Sequence, residues 1–212
     1  MLKMKKFFLL AMLASAFALI TSCGGGAGGG PESSVNQLYA DGFEFDYKMS
    51  MNGQEMSTGT FGGKGNTIWN EMSMGGMMSM GGTMSMKQVI KLSSDGKKAT
   101  VYTYINGVQQ GQPQEVDYDE YMENEDDLSQ ASSFVESDVD FDSFTKQGTK
   151  TVAGKTCDYY VGKGDAAGTE FAYYEAKGMT LYTKTTSQGM VTELEITSIK
   201  FGNEVTVPSL PD

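Results

Sequence analysis

From residue 43 onward, apolar and polar side chains alternate. Phe43, Phe45, Tyr47, Met49 and Met51 fall on one face of an extended segment, and Glu44, Asp46, Lys48 and Ser50 on the other. Successive side chains of a strand point to opposite faces, so this spacing predicts a half-buried β-strand. Asn52-Gly53 closes it with the strongest short-range hairpin signal. Similar punctuation recurs at 62–66 (Gly-Gly-Lys-Gly-Asn), Gly75-Gly76, Gly81-Gly82, Asp95-Gly96 and Asn106-Gly107. Further β-rich runs span 99–105, 149–152, 157–163, 169–176, 179–186 and 190–201. In the last run, Leu194 and Ile196 point one way while Glu193 and Glu195 point the other. The pattern predicts roughly nine to eleven antiparallel strands. Residues 115–142 read instead as helical or irregular.

One apolar and one polar face per strand is the mark of an antiparallel sheet wetted on a single side. A flat sheet of this size needs about two or three helices to cover its apolar face. The chain supplies one short candidate, so the sheet is expected to cover itself. It can close into a barrel, split into a sandwich, or curl into a half-barrel with a lid. Hairpins in nearly consecutive order favour the curled sheet over a Greek key. The expected fold is mainly β, an antiparallel curled sheet.

The N-terminus carries a different signal. Lys3, Lys5 and Lys6 form a positive region ahead of an apolar run at 7–20 that ends in Ile20-Thr21-Ser22-Cys23. The run is shorter than the ~20 residues a membrane-spanning helix needs, and it suits a secretory signal. Its end resembles the lipobox of bacterial lipoproteins, which implies cleavage before Cys23 and acylation of that residue. Two or more acyl chains hold a protein stably at a bilayer. Residues 24–30 are nearly all glycine, a flexible tether closed by Pro31. Glycine rather than aspartate follows Cys23. By resemblance to lipoprotein sorting rules, that implies the outer membrane, and the lack of an acidic cluster after Cys23 favours its periplasmic face. The reading divides the chain into a signal peptide (1–22), an acylated cysteine with its tether (23–34), and one β half-barrel domain (35–212). Within that domain, 115–142 forms an acidic lid or loop.

Composition narrows the function. There is no histidine, and the formal net charge is −11. Most triads, most zinc sites and the commonest general base are thereby removed, and no basic stripe exists for nucleic acid. With Cys23 acylated, Cys157 has no disulfide partner and reads as a small buried hydrophobe. The expectation is a binding or structural protein, not an enzyme, with no cofactor. Residues 115–142 hold 12 of the 27 acidic residues and no lysine. Within them, 138–143 (Asp-Val-Asp-Phe-Asp-Ser) has alternating carboxylates like a calcium loop. However, Ser143 stands where that loop needs glycine and Thr149 where it needs glutamate. A solvated, self-repelling segment is the expectation there.

The C-terminal third carries a family resemblance. It contains "TKTVAGKTCDYYVG" (149–162), "AYYEAKGMTLYTKT" (172–185), "ELEITSIKFGNEV" (193–205) and the closing "VPSLPD" (207–212). In this order they resemble the LolA/LolB-like lipoprotein carriers, in particular their uncharacterised lipoprotein branch. The resemblance implies an antiparallel half-barrel with a lid over an apolar cavity. Known carriers that shuttle between membranes are soluble, whereas this chain has an anchor signal, so the fold and the cavity carry over and the carrier activity does not.

Residues 72–87, "MSMGGMMSMGGTMSMK", repeat a six-residue phrase. In an extended chain Met72 and Met74 share a face, as do Met78 and Met80, and Met84 and Met86. Unbranched methionines suit a binding surface that adapts to its ligand. The favoured reading is an apolar ligand, a lipid or acyl chain, held by Phe43, Phe45, Tyr47, Met49, Met51 and Trp69 with the methionine run at the mouth. Thioethers also select Cu(I), which makes Met72, Met74, Met78, Met80, Met84 and Met86 an alternative metal site. A third possibility is a structural or interaction lipoprotein whose methionines only fill a core. The sequence names no protein partner.

Overall fold

The computed structural model describes residues 38–75, 83–118 and 141–210. Strand β1 (Phe43–Met51) alternates buried and half-buried positions as its sequence requires. Asn52 and Gly53 both have positive φ, 51° and 77°, the backbone of a tight primed turn that matches strand twist. They lead into β2 (Gln54–Lys64), followed by β3 (Thr67–Met74), β4 (Met84–Leu92) and β5 (Lys98–Ile105). The short β6 (Val108–Gln109) and β7 (Gln114–Asp117) both pair with β5. A 3-10 turn at Phe141–Ser143 precedes β8 (Phe144–Val152). Then come β9 (Lys155–Gly162), β10 (Thr169–Tyr174), β11 (Met179–Ser187) and β12 (Met190–Phe201).

All pairings are antiparallel, and the strands form one sheet in the order β6-β5-β4-β3-β2-β1-β12-β11-β10-β9-β8. The first and last long strands are therefore neighbours at the centre. One arm runs out through β2 to β5 and the other through β11 to β8. The outer strands do not pair with each other, so the sheet is open. The edge strand β8 carries Lys146 and Lys150 and a register shift beside Gly148, features that discourage pairing with another chain.

A single buried cluster runs across both arms. It joins Phe43, Phe45, Phe61, Ile68, Ile90 and Val101 with Val152, Cys157, Ala172, Met179, Leu181 and Ile196. A Val, Leu, Ile, Phe or Met side chain among them contributes ~1.5–3 kcal/mol where it is fully buried. Little but sheet is available among the described residues to cover them, which is the self-covering curl expected from the alternation.

Three details depart from the sequence reading. The described strands number twelve, because β6 and β7 are short additions along β5. Residues 114–117 are strand rather than lid: Val116 lies opposite Ala99 and packs on the core, while Glu115 and Asp117 flank it. Alternation also fails in β9 and β10. Tyr160 pairs with Phe171 on one face, and Tyr159 pairs with Ala172 on the other, so both faces of this arm carry apolar groups. Cys23, Met78, Met80 and 119–140 lie outside the described residues.

Candidate ligand site

Register places the predicted residues in rows. The face of β1 that carries Phe43, Phe45, Tyr47 and Met49 continues across β2 and β3 into β4. Phe45 lies opposite Phe61, and Phe61 opposite Asn70, which faces Gln88. The next row runs Tyr47, Gly59, Met72, Met86. The row beyond runs Met49, Ser57, Met74, Met84. Thus Met72 faces Met86 and Met74 faces Met84, two cross-strand thioether pairs at one end of the inner face. Directly opposed side chains have Cβ atoms about 4.5–5.5 Å apart. Met72, Met74 and Met86 are half-buried and Met84 is 38% exposed. Phe43 and Phe45 are fully buried, stacked at a ring separation of 6.0 Å, and form closed floor rather than open wall. Met51 is half-buried at the end of β1, outside the buried cluster.

Trp69 does not join them. Its neighbour Ile68 faces the core, so the indole lies on the opposite face. There it packs with Val89 and Val205, against Tyr102 and Leu210 of the C-terminal segment. Lys64 Nζ holds that segment by donating to the carbonyls of Gly202 (3.1 Å) and Val205 (2.9 Å).

Polar side chains interrupt this face in two places that the sequence reading passed over: Asn70 opposite Gln88, one row below Met72 and Met86, and Ser57 in the row of Met74 and Met84. Tyr47 donates its hydroxyl proton to Asn70 Oδ1 across 3.3 Å. Asn70 is 5% exposed, Gln88 9% and Ser57 3%. Ser57 Oγ and Gln88 Oε1 have no hydrogen-bond partner among the described residues. Such buried orphans cost about 1–3 kcal/mol each. The signal was present as parity: Ile68, Asn70, Met72 and Met74 alternate in β3, and Met84, Met86, Gln88 and Ile90 in β4, so each amide falls in an otherwise apolar series.

Around β1 and β12 the outer face is polar and already paired. A trough of about 240 Å³ is lined by Lys48, Ser50, Gly53, Glu55, Glu193 and Glu195. Lys48 Nζ lies 3.7 Å from Glu195, and the Ser50 hydroxyl donates to Glu193 at 3.5 Å. Tyr182 donates to Glu193 at 3.1 Å, and Tyr159 donates to Glu170, which Lys184 also approaches at 3.4 Å. Burial and these carboxylates push the Tyr159 phenol up to about 12 and that of Tyr182 higher still. Lys150 sits over the Tyr182 ring, 3.0 Å from its centroid, and burial pulls its ammonium below the usual range. Cys157 is a buried free thiol, pushed up by burial, and so holds little of the reactive thiolate. At the far arm, Phe141, Phe144, Tyr160, Phe171 and Tyr173 form a separate ring cluster.

Neither the family models nor the curated proteins contain a match to this chain. Among solved structures, LprF from Mycobacterium bovis aligns at 12% identity over 85% of this chain and 99% of its own, with a TM-score of 0.37. A beta-barrel-like protein of domain of unknown function DUF1849 from Brucella abortus aligns at 8% identity over 78% of this chain and 100% of its own, with a TM-score of 0.36. The hypothetical protein CT021 from Chlamydia trachomatis gives 11% identity, 79% and 92% coverage, and a TM-score of 0.36. Likeness of this degree says nothing of what the chain binds.

Proposed function

We propose that this chain is a lipid-anchored protein of the bacterial outer membrane, on its periplasmic face, that holds an apolar ligand at the methionine-lined end of its inner sheet face. It binds rather than catalyses. The observation that carries the reading is the pair of facing methionine couples, Met72 with Met86 and Met74 with Met84, only partly covered, on the same sheet face as the core residues Tyr47 and Met49. Unbranched thioether side chains repack around ligands of varied shape. The lipobox-like Ile20-Thr21-Ser22-Cys23 supports the anchor. Among the described residues no helix is long and apolar enough to cross a membrane. Native mass spectrometry of the chain from Ser34 onward tests the reading. A co-purifying lipid or added fatty ligand supports it, and a clean unliganded mass with no uptake of either rejects it.

The same couples favour a second reading, a Cu(I) site, because facing thioethers lie within reach of one soft cation. Replacing Met72, Met74, Met84 and Met86 by leucine separates the two. Leucine keeps the apolar surface and removes the sulfur, so apolar binding survives and any Cu(I) binding in a chelator competition disappears. A chain that takes up neither ligand is an interaction or structural lipoprotein.

A further inference from the structure

Methionines gather at one end of the core face, and their exposure is graded. Met51 ends β1 opposite Thr192, Met74 ends β3 opposite Met84, and Met84 begins β4. Met190 begins β12 and shares the face of Leu194 and Ile196 by strand parity. Met190 is 46% exposed and Met84 38%, whereas Met49 and Met179 are buried. Met51, Met72, Met74 and Met86 lie between these limits. The other readily oxidised side chains among the described residues, Cys157 and Trp69, are both buried. A soft oxidant in solution therefore meets Met84 and Met190 first.

A thioether has no proton to lose, so its sulfur is nucleophilic at any ordinary pH. It attacks one oxygen of hydrogen peroxide: an S–O bond forms and the O–O bond breaks. The departing hydroxide takes up the proton left on the transferred oxygen and becomes water. Sulfur gives up two electrons and the peroxide gains them. The product, methionine sulfoxide, is polar and chiral, and sulfoxide reductases return it to the thioether. Position decides the consequence. Met190 lies on β12, away from the couples, but Met84 faces Met74 directly. A sulfoxide there sets a strong acceptor against a thioether that offers no donor, and it removes apolar surface from the couple.

We infer that Met84 is an oxidation site and that its sulfoxide switches off apolar-ligand binding at the methionine couples. The switch rests on the apolar-ligand reading above; the oxidation itself does not.

Limited peroxide treatment of the full chain in membrane vesicles tests this, with sulfoxides mapped by tandem mass spectrometry. Met84 and Met190 are expected to gain oxygen while Met49 and Met179 stay reduced. Before and after treatment the vesicles are photolabelled with a diazirine-bearing long-chain alcohol. Labelling of the β3 and β4 peptides is expected to fall about tenfold on oxidation, the effect of one polar group left without a partner. A methionine sulfoxide reductase is expected to restore it. Met84→Leu cannot form the sulfoxide and is expected to keep its own untreated labelling through peroxide, whereas Met190→Leu loses labelling as the native chain does. Emission of Trp69, the only tryptophan, is expected to stay constant, which shows that the fold is intact. Sulfoxide at Met49 or Met179 as early as at Met84, equal labelling before and after treatment, or loss of labelling in Met84→Leu overturns the inference and leaves the apolar-ligand reading standing. An untreated chain that takes no label on these strands overturns that reading and the switch together.

Discussion

A β-carbon on Gly62 would stand 2.4 Å from Cζ2 of Trp69, and one on Gly59 would stand 2.4 Å from the Tyr47 ring. Both glycines sit inside β2, where the residue weakens a strand unless something must approach closely. Here an aromatic ring from a neighbouring strand, Tyr47 of β1 or Trp69 of β3, occupies the space that a side chain would need. Gly62→Ala is expected to destabilise the protein by about 1–3 kcal/mol through overpacking and to shift Trp69 emission, readable by urea titration. The outer-face tyrosines give a pH prediction. The folded Tyr159 phenol is raised to about 12 from an ordinary 10.0, and Tyr182 is raised in the same direction. Folding therefore favours the protonated phenols. Their contribution is complete below the unfolded value near 10 and is lost as pH climbs through the folded values. Thermal stability should hold to about pH 10 on this account and fall across about pH 10–12. Tyr159→Phe should leave a smaller phenolate signal late in that titration.

At the scale of elements, the β3–β4 pair combines two roles. Its lower half supplies core through Ile68 and Ile90, while its upper half presents the methionine couples. Changing those four methionines to leucine should cost less than about 1.5 kcal/mol per site, because the volumes match. A Cu(I) titration of that variant then reports on sulfur alone. The C-terminal segment is a second element with a definite task. Val205 and Leu210 close over Trp69 on the outer face. Ending the chain after Glu204 should move Trp69 emission to the red and lower the melting temperature. The sheet should survive, because β12 ends at Phe201. Retained blue emission would show that the segment does not shield the indole.

For the whole molecule, the pairing of β1 with β12 matters most. It joins the two arms at the centre, and the buried cluster spans both. Phe45 sits in that cluster with no exposure, so Phe45→Ala should cost about 3–5 kcal/mol. Because the arms share one core, far-UV circular dichroism and Trp69 fluorescence should report a single coincident transition. Separate midpoints would mean that the arms fold independently.

The alternation of β1, the one-sided pattern of β12 and the Asn52-Gly53 and Asn106-Gly107 turns were all legible in the chain. Side-chain period and turn backbone are properties of immediate neighbours. The turns at Ala153-Gly154 and Gln188-Gly189 adopt the same positive φ pairs, yet Ala and Gln carry a weaker signal for that backbone, so they were harder to see. The methionine couples were half visible: spacing put Met72 with Met74, but only the register of β3 on β4 set Met72 against Met86. Whether a face is covered was beyond the sequence. Period two says which side chains share a side, not which side the rest of the chain closes over. That is why Trp69 proved to belong to the outer face under Val205, and why β9 and β10 carry aromatic groups on both sides. Curvature of the sheet and segments distant in sequence decided these, because burial is a property of the assembled surface and not of any one strand.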